Sequence, residues 1–377
     1  MPARVSVAGA GYEPIDSAAL THLRGGGYYK GIDKLSYRIE FHDEAGYGKE
    51  KKMNVSVLGM DADTDWLLIS NAGDITAVRN YMAYDMWKRW NEGNEHALML
   101  MDSQMVELFV DDEYMGLYQL MERINHEKEI IQAGGNAETD SVVRLVMDVN
   151  VNEKPWLNLM ERAHIYVEYR YGRNGNAKQV FDDLENYILL SQFKENKLDD
   201  GTFRELAEQY VNEDQLVSYY LFLQSCGLWE DNIFNNVFIW MFWEKDKYVY
   251  YLSPWDMDYA FPVTEIMENG AIKPYFDRAM YLPVHMLDLN VSNSREKIWA
   301  LWKEKRSAIL SDDALYEWFM DTEAWINASG AYLRETEKWR GGACELNLSE
   351  LLYYEQQHMK TIEWNMNEYW PLNANIN

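Results

Sequence analysis

Residues 228–261 read Leu228-Trp-Glu-Asp231-Asn-Ile-Phe-Asn-Asn236, then Val237-Phe-Ile-Trp-Met-Phe-Trp-Glu244, Lys-Asp, Lys247-Tyr-Val-Tyr-Tyr-Leu-Ser-Pro254, and Trp255-Asp256-Met-Asp258-Tyr-Ala-Phe261. Two aromatic runs joined by a short charged turn predict a β-hairpin. Asp231 stands five residues before Asn236, and Asp256 and Asp258 follow the second run. A hairpin returns the chain to its starting end, so it gathers the groups that flank its two strands. Those groups are oxygen donors, the type that hard divalent cations bind. Asp256 and Asp258 alternate at a strand end and are expected on one face. Two like charges there cost energy unless a cation joins them. Asp and Asn also fill ordinary turns, a reading that needs no site.

The chain has 377 residues, enough for one large domain or two lobes around a buried core. At 47% hydrophobic it is a folded protein. Lys and Arg total 35 against 62 Asp and Glu, a net charge of −27. Such a surface repels a phosphate backbone and excludes nucleic acid as a partner; it either steers basic polypeptides or cations toward the protein or is simply a well-solvated acidic surface that needs no partner. Two cysteines, Cys226 and Cys344, are too few for a disulfide scaffold or a thiolate metal site; they are expected as buried free thiols, a single bridge between them being the alternative. No apolar run reaches the roughly 18–20 residues of a membrane span. The first residues, Met-Pro-Ala-Arg-Val-Ser-Val-Ala, lack the apolar core of a signal peptide, which does not settle the compartment.

The first third reads as strands and turns. Strands are expected at 35–41, more weakly at 52–58, and at 65–70. A helix follows over 75–92 with Asp74 as N-cap. Residues 105–110 and 116–122 form a hairpin around Asp-Asp-Glu-Tyr. A connector spans 125–140, and strands at 141–149 and 163–171 make a second small sheet. Helices are expected at 178–196, 202–210, 213–227, 295–309, 312–338 and 349–369. The fold class is therefore α+β: a β-rich first lobe with one inserted helix over 1–135, and over 136–377 a small sheet with a mainly helical second lobe.

Protein kinases share the spacing of the central stretch: a base Asp, a metal-binding Asn five residues on, a hairpin, and a metal-binding Asp. Further pieces stand in order. Arg24-Gly25 precedes Lys34-Leu-Ser-Tyr-Arg38-Ile-Glu-Phe41; Asp65-Trp66-Leu-Leu, Asp74 and Arg79-Asn80 follow; then comes Glu113-Tyr-Met-Gly116-Leu-Tyr118-Gln-Leu-Met-Glu122-Arg123. With these motifs the chain resembles the CotH family of spore-coat-type atypical protein kinases, from about Leu23 to Phe261.

The resemblance implies a bilobal protein-kinase-like fold, ATP and Mg²⁺ or Mn²⁺ as cofactors, and transfer of phosphate to Ser or Thr of a protein, itself included. It implies Lys34 on the nucleotide phosphates with Glu122 as its ion-pair partner, Asp231 facing the acceptor hydroxyl, and Asn236, Asp256 and Asp258 on the metal. Arg24 would be a further phosphate contact, and Arg79 either another, Arg being suited to bidentate binding, or a partner for an acidic site residue. Leu35 stands where members often carry a second lysine, which leaves Arg38 as the outside candidate for the role of Lys34. Glu230 is the alternative to Asp231, and Phe261-Pro262 replaces a glycine that many members have. The triplet Gly25–Gly27 is read as a turn with backbone contact to phosphate. Without the resemblance, Lys34 and Arg38 are solvated charges on an exposed strand face. The acidic surface suggests basic Ser/Thr-containing substrate segments. The family also implies a secreted or surface setting and two alternatives: a catalytically weak binding or adhesion module, and a transferase that moves AMP.

Overall fold

The structure is a computed structural model. It describes residues 1–24, 33–43, 46–93, 101–123, 130, 134–136, 138–147, 165–172, 177–191, 198–228, 236–261, 267–268, 271–272, 276, 278 and 280–372. The described residues form both helices and sheets, a curled β-sheet among them. In order, the elements are β1 (Pro2–Val7), β2 (Ile15–Arg24), β3 (Ser36–His42), β4 (Asp65–Ile69), α1 (Arg79–Trp90), β5 (Ser103–Val110), β6 (Glu113–Glu122), β7 (Ser141–Met147) and β8 (Ile165–Gly172). There follow α2 (Ala177–Ser191), α3 (Asp200–Tyr210), α4 (Glu213–Ser225), β9 (Val237–Glu244), β10 (Lys247–Pro254), α5 (Tyr281–Leu289), α6 (Ser294–Arg306), α7 (Asp312–Ala328), α8 (Ala331–Trp339) and α9 (Ser349–Tyr369).

Two compact units emerge. One comprises Met1–Lys88, Leu100–Asn125 and Trp318–Ser349; the other comprises Arg89–Met99, His126–Glu317 and Glu350–Asn377. The first unit is built on a six-stranded sheet in the order β1-β2-β3-β4-β6-β5. Its neighbouring strands are all antiparallel. Alternation decides its faces. Ala19 opposes Phe41, Ile39 opposes Trp66 and Leu68 opposes Leu120, so these side chains share one face. With Tyr118, Val57 and Met60 they form a buried apolar core. Each such side chain, fully buried, contributes roughly 1.5–3 kcal/mol. The opposite face carries Arg38, Glu40 and His42, and also Gln119, whose amide oxygen accepts from Asn80 of α1 at 2.8 Å.

Local chemistry explains where elements begin and end. Asp111 and Asp112 both have positive φ, 49° and 65°, as a two-residue turn between right-twisted strands requires. Helix α1 starts at Arg79, four residues later than expected. Ala77 is left-handed at φ 60°, and the Asp74 carboxylate accepts from the amides of Thr76 and Arg79, closing a turn ahead of the helix. Residues 52–58, expected as a weak strand, make only isolated bridges at Lys52 and Val55. The helix expected over 312–338 is two helices, broken at Gly330 with φ 66°.

The second unit holds a four-stranded sheet, β10-β9-β7-β8, and most of the helices. Helix α4 is buried along most of its length, from Leu216 to Ser225 apart from Ser218. Asn212 caps it by accepting from the Gln215 amide at 3.0 Å. Gln215 in turn clasps the backbone of Leu252 in β10 through both its side-chain atoms. At the far end Gly227, φ 62°, lets the chain turn: its amide bonds Gln224 O and that of Leu228 bonds Leu223 O. Both cysteines are free, but only Cys226 is buried; Cys344 is exposed, because it lies in the short link after α8 rather than in an element.

Candidate functional site

Lys34 precedes β3 and is 3% exposed, not on an open strand face. Its ammonium donates to Leu117 O at 2.7 Å and to Glu335 Oε1 at 2.7 Å, and lies 4.8 Å from the centre of the Tyr118 ring. The other oxygen of Glu335 accepts from the Leu117 amide at 2.7 Å. The strand order explains the opening. β4 ends at Ile69, opposite Gln119, while β6 begins back at Glu113. Beyond that end the backbone of β6 needs partners, and at Leu117 a lysine and a glutamate supply them. Gly116 makes the approach possible. Its φ is +119°, and a Cβ there would meet Glu335 Oε2 at 2.5 Å and Lys34 Cε at 2.9 Å.

Helix α8 brings Glu335 to this place. Ala331, Glu335 and Trp339 recur at i, i+4 and i+8 and share one side of the helix. Trp339 Nε1 donates to Met115 O at 2.9 Å, Arg334 binds Glu107 through two 2.7 Å hydrogen bonds, and Lys338 pairs with Glu113 at 2.7 Å. Burial pulls the pKa of Lys34 down; Glu335 opposes it most strongly, Arg340 adds to it, and Asp74 opposes it. Arg340 donates to Asp74 O at 2.7 Å. The Asp74 carboxylate is fully buried and holds Arg79 through both its amide and its Nε. Arg24 lies across from Ser36, two residues from Lys34. Arg24 and Lys34 thus lie toward one end of the sheet, the end at which β4 leads into the turn where Asp74 holds Arg79.

Arg38 and Glu122 do not join them. Glu122 lies five residues beyond Leu117 on β6, roughly 16 Å along at about 3.3 Å per residue. The Lys34–Glu122 pair is therefore replaced by Lys34–Glu335. Arg38 sits at the Glu122 end too, bonded to Asp65 Oδ1 at 2.6 Å and Glu40 Oε2 at 2.8 Å. Lys52 and His42 bind Glu40 as well, at 2.5 and 2.7 Å. Burial raises the Glu40 carboxyl, but these bonds overcome it and bring the group down to about 2.

In the second unit, β9 and β10 pair from Val237–Pro254 to Glu244–Lys247. Asn236 and Trp255 continue the pairing by one bond, Trp255 N to Asn236 O at 2.9 Å, which places Asp256 beside Asn236's end of the hairpin. Strand β10 stops at Pro254, so Asp256 and Asp258 do not alternate on a strand. Asp256 is left-handed at φ 57°, as is Asn236 at 54°, conformations that Asp and Asn tolerate better than most residues. The segment then turns back, Ala260 N to Met257 O and Phe261 N to Cys226 O, which ties it to the end of α4. Asp231 and Glu230, like Gly25–Gly27, lie outside the described residues.

Sequence reasoning missed Arg144. It is the charge in the apolar run Ser141-Val-Val-Arg-Leu-Val, and that interruption is the signal. Its Nη2 donates to Asn236 Oδ1 at 3.0 Å, and its guanidinium lies 5.6 Å from the Trp255 ring centre. Asn236 Oδ1 has a second lone pair for another partner. Among the described residues no three His, Cys, Asp or Glu side chains are disposed to hold a metal ion. Asn236, Asp256 and Asp258 are nonetheless oxygen donors throughout, a set whose chemistry fits a hard divalent cation. Among the described residues no helix is long and apolar enough to cross a membrane.

Comparison with curated proteins finds no match. The sequence model described as CotH kinase protein matches residues 22–365, a span that holds Lys34, Glu122, Asp231, Asn236, Asp256 and Glu335. The chain belongs to the CotH kinase protein family.

Proposed function

We propose that this protein is an ATP- and divalent-metal-dependent protein kinase that phosphorylates Ser or Thr hydroxyls, on a bilobal plan whose first lobe also takes in residues 318–349. The observation that carries this reading is the β9–β10 hairpin, which sets Asn236 beside the segment holding Asp256. Asn236, Asp256 and Asp258 would hold the metal, and the metal's chemistry is to neutralise charge between phosphates. Lys34, with Arg24 toward the same end of its sheet and Arg79 held by Asp74 in the turn that follows β4, binds and orients the nucleotide phosphates. Asp231 accepts the proton of the acceptor hydroxyl. The substrate is a basic Ser/Thr-containing segment drawn to the acidic chain.

Melting the purified protein with ATP, with and without Mg²⁺ or Mn²⁺, tests the site. A ligand at a hundred times its Kd stabilises by about 2.7 kcal/mol. A metal-dependent rise that Asp256→Ala abolishes supports the reading. No response with either metal turns it toward a binding module.

A further inference from the structure

Helix α8 has no part in the kinase reading, yet it holds the lysine on which that reading depends. Both oxygens of Glu335 are engaged there, Oε1 by Lys34 and Oε2 by the Leu117 amide. Glu335 is 1% exposed. The strand is shaped to receive it: at Gly116 any side chain would displace the carboxylate, the Trp339 indole 2.8 Å away, or the lysine stem. A lysine ammonium has three donors. Among the described residues Leu117 O and Glu335 take two, which leaves the third for a phosphate oxygen. Burial lowers the pKa of Lys34, and Glu335 is the strongest influence opposing that shift.

We infer that Glu335 is the positioning residue for Lys34, and that the docking of α8 on the β5–β6 hairpin readies this end of the sheet for nucleotide, an inference that rests on the kinase reading. The pair spans 301 positions, so a C-terminal helix governs an N-terminal binding group. Arg334–Glu107, Lys338–Glu113 and Trp339–Met115 hold the helix in place. Whatever lifts α8 takes away the carboxylate that orients the Lys34 ammonium and weakens nucleotide binding.

The test is calorimetry of ATP·Mg²⁺ binding to the full chain between pH 7 and 10, for wild type, Glu335→Gln and Glu335→Asp. Alongside it, NMR follows the titration of the Lys34 ε-carbon without nucleotide. The expected result is a loss of at least tenfold in affinity for Glu335→Gln at pH 7. That loss grows with pH, Lys34 titrates at lower pH than in wild type, and Glu335→Asp recovers part of the affinity. Wild-type affinity with an unchanged pH profile in Glu335→Gln overturns the inference and leaves the kinase reading standing. A loss that is the same at every pH, with Lys34 titrating as before, also overturns it. Should Glu335→Gln not fold, Glu335→Asp alone decides the matter: its shorter arm must weaken ATP·Mg²⁺ binding with a loss that grows with pH, and wild-type affinity with an unchanged pH profile overturns the inference. No ATP·Mg²⁺ binding by wild type overturns the kinase reading and the inference with it.

Discussion

Glu335 lies 2.7 Å from Lys34 across 301 positions of sequence, and both side chains are buried. Removing one partner of such a pair strands the other charge away from water, at a cost of about 3–5 kcal/mol. Lys34→Met is expected to lose that much in urea unfolding. The double variant Lys34→Met, Glu335→Leu should recover part of it, since an apolar pair needs no counter-charge while the Leu117 N–H and C=O stay without their partners. Losses that simply add would contradict the coupling.

Gly116→Ala acts on the same contact through the backbone. Its φ of +119° disfavours any Cβ, and the added carbon would press on Glu335 Oε2 at 2.5 Å. A destabilisation of about 1–3 kcal/mol is expected from backbone strain alone, with weakened ATP binding beside it. A variant as stable as wild type in chemical denaturation would show that the strand yields there.

Glu40 makes part of the stability acid-sensitive. Its folded pKa, about 2, lies below the ordinary 4.5 because Lys52 and His42 bind it strongly enough to outweigh burial. The sign follows from linkage: the contribution is complete above about pH 4.5 and is lost as pH falls toward 2. About 2–3 kcal/mol rides on it. Unfolding free energies of wild type and Glu40→Gln from pH 6 to 2.5 should converge as pH falls. A constant difference would contradict the assignment.

Glu355 behaves in the opposite sense. It is buried in α9, burial raises its carboxyl well above 4.5, and its Oε1 has no hydrogen-bond partner among the described residues. The folded form holds a proton that the unfolded chain releases near pH 4.5. Stability is therefore full below that pH and falls as pH rises through the folded value. Glu355→Gln should abolish this fall and be the more stable protein at pH 8, read by thermal melting. Parallel pH profiles for the two proteins would contradict it.

Much of this was legible in the chain. The period-two alternation that builds β3 and the short charged turns at Asp111-Asp112 and Lys245-Asp246 are local signals, and local physics decided them. The hairpin that joins Asn236 to the Asp256 segment is of the same kind. Glu335 was not legible, because Arg-Glu-Thr-Glu-Lys carries no motif and its partner is a backbone edge left by the shortness of β4. Lys34 read as exposed for that reason: nothing near it in sequence shows that a helix covers it. Asp256 and Asp258 read as strand residues because Pro254 gives little warning that the strand ends there and that the next carboxylate turns left-handed.

The central claim is phosphoryl transfer with Asp231 facing the acceptor hydroxyl. Its most direct test is transfer of label from the γ-phosphate of ATP, with Mg²⁺ or Mn²⁺, to the protein itself and to basic test proteins, by wild type and by Asp231→Ala. Mass spectrometry of the product distinguishes added phosphate from added AMP. The account predicts phosphate on Ser or Thr with wild type and a rate lower by about 10²-fold or more with Asp231→Ala. Equal rates for the two proteins, or no transfer by wild type, would contradict it.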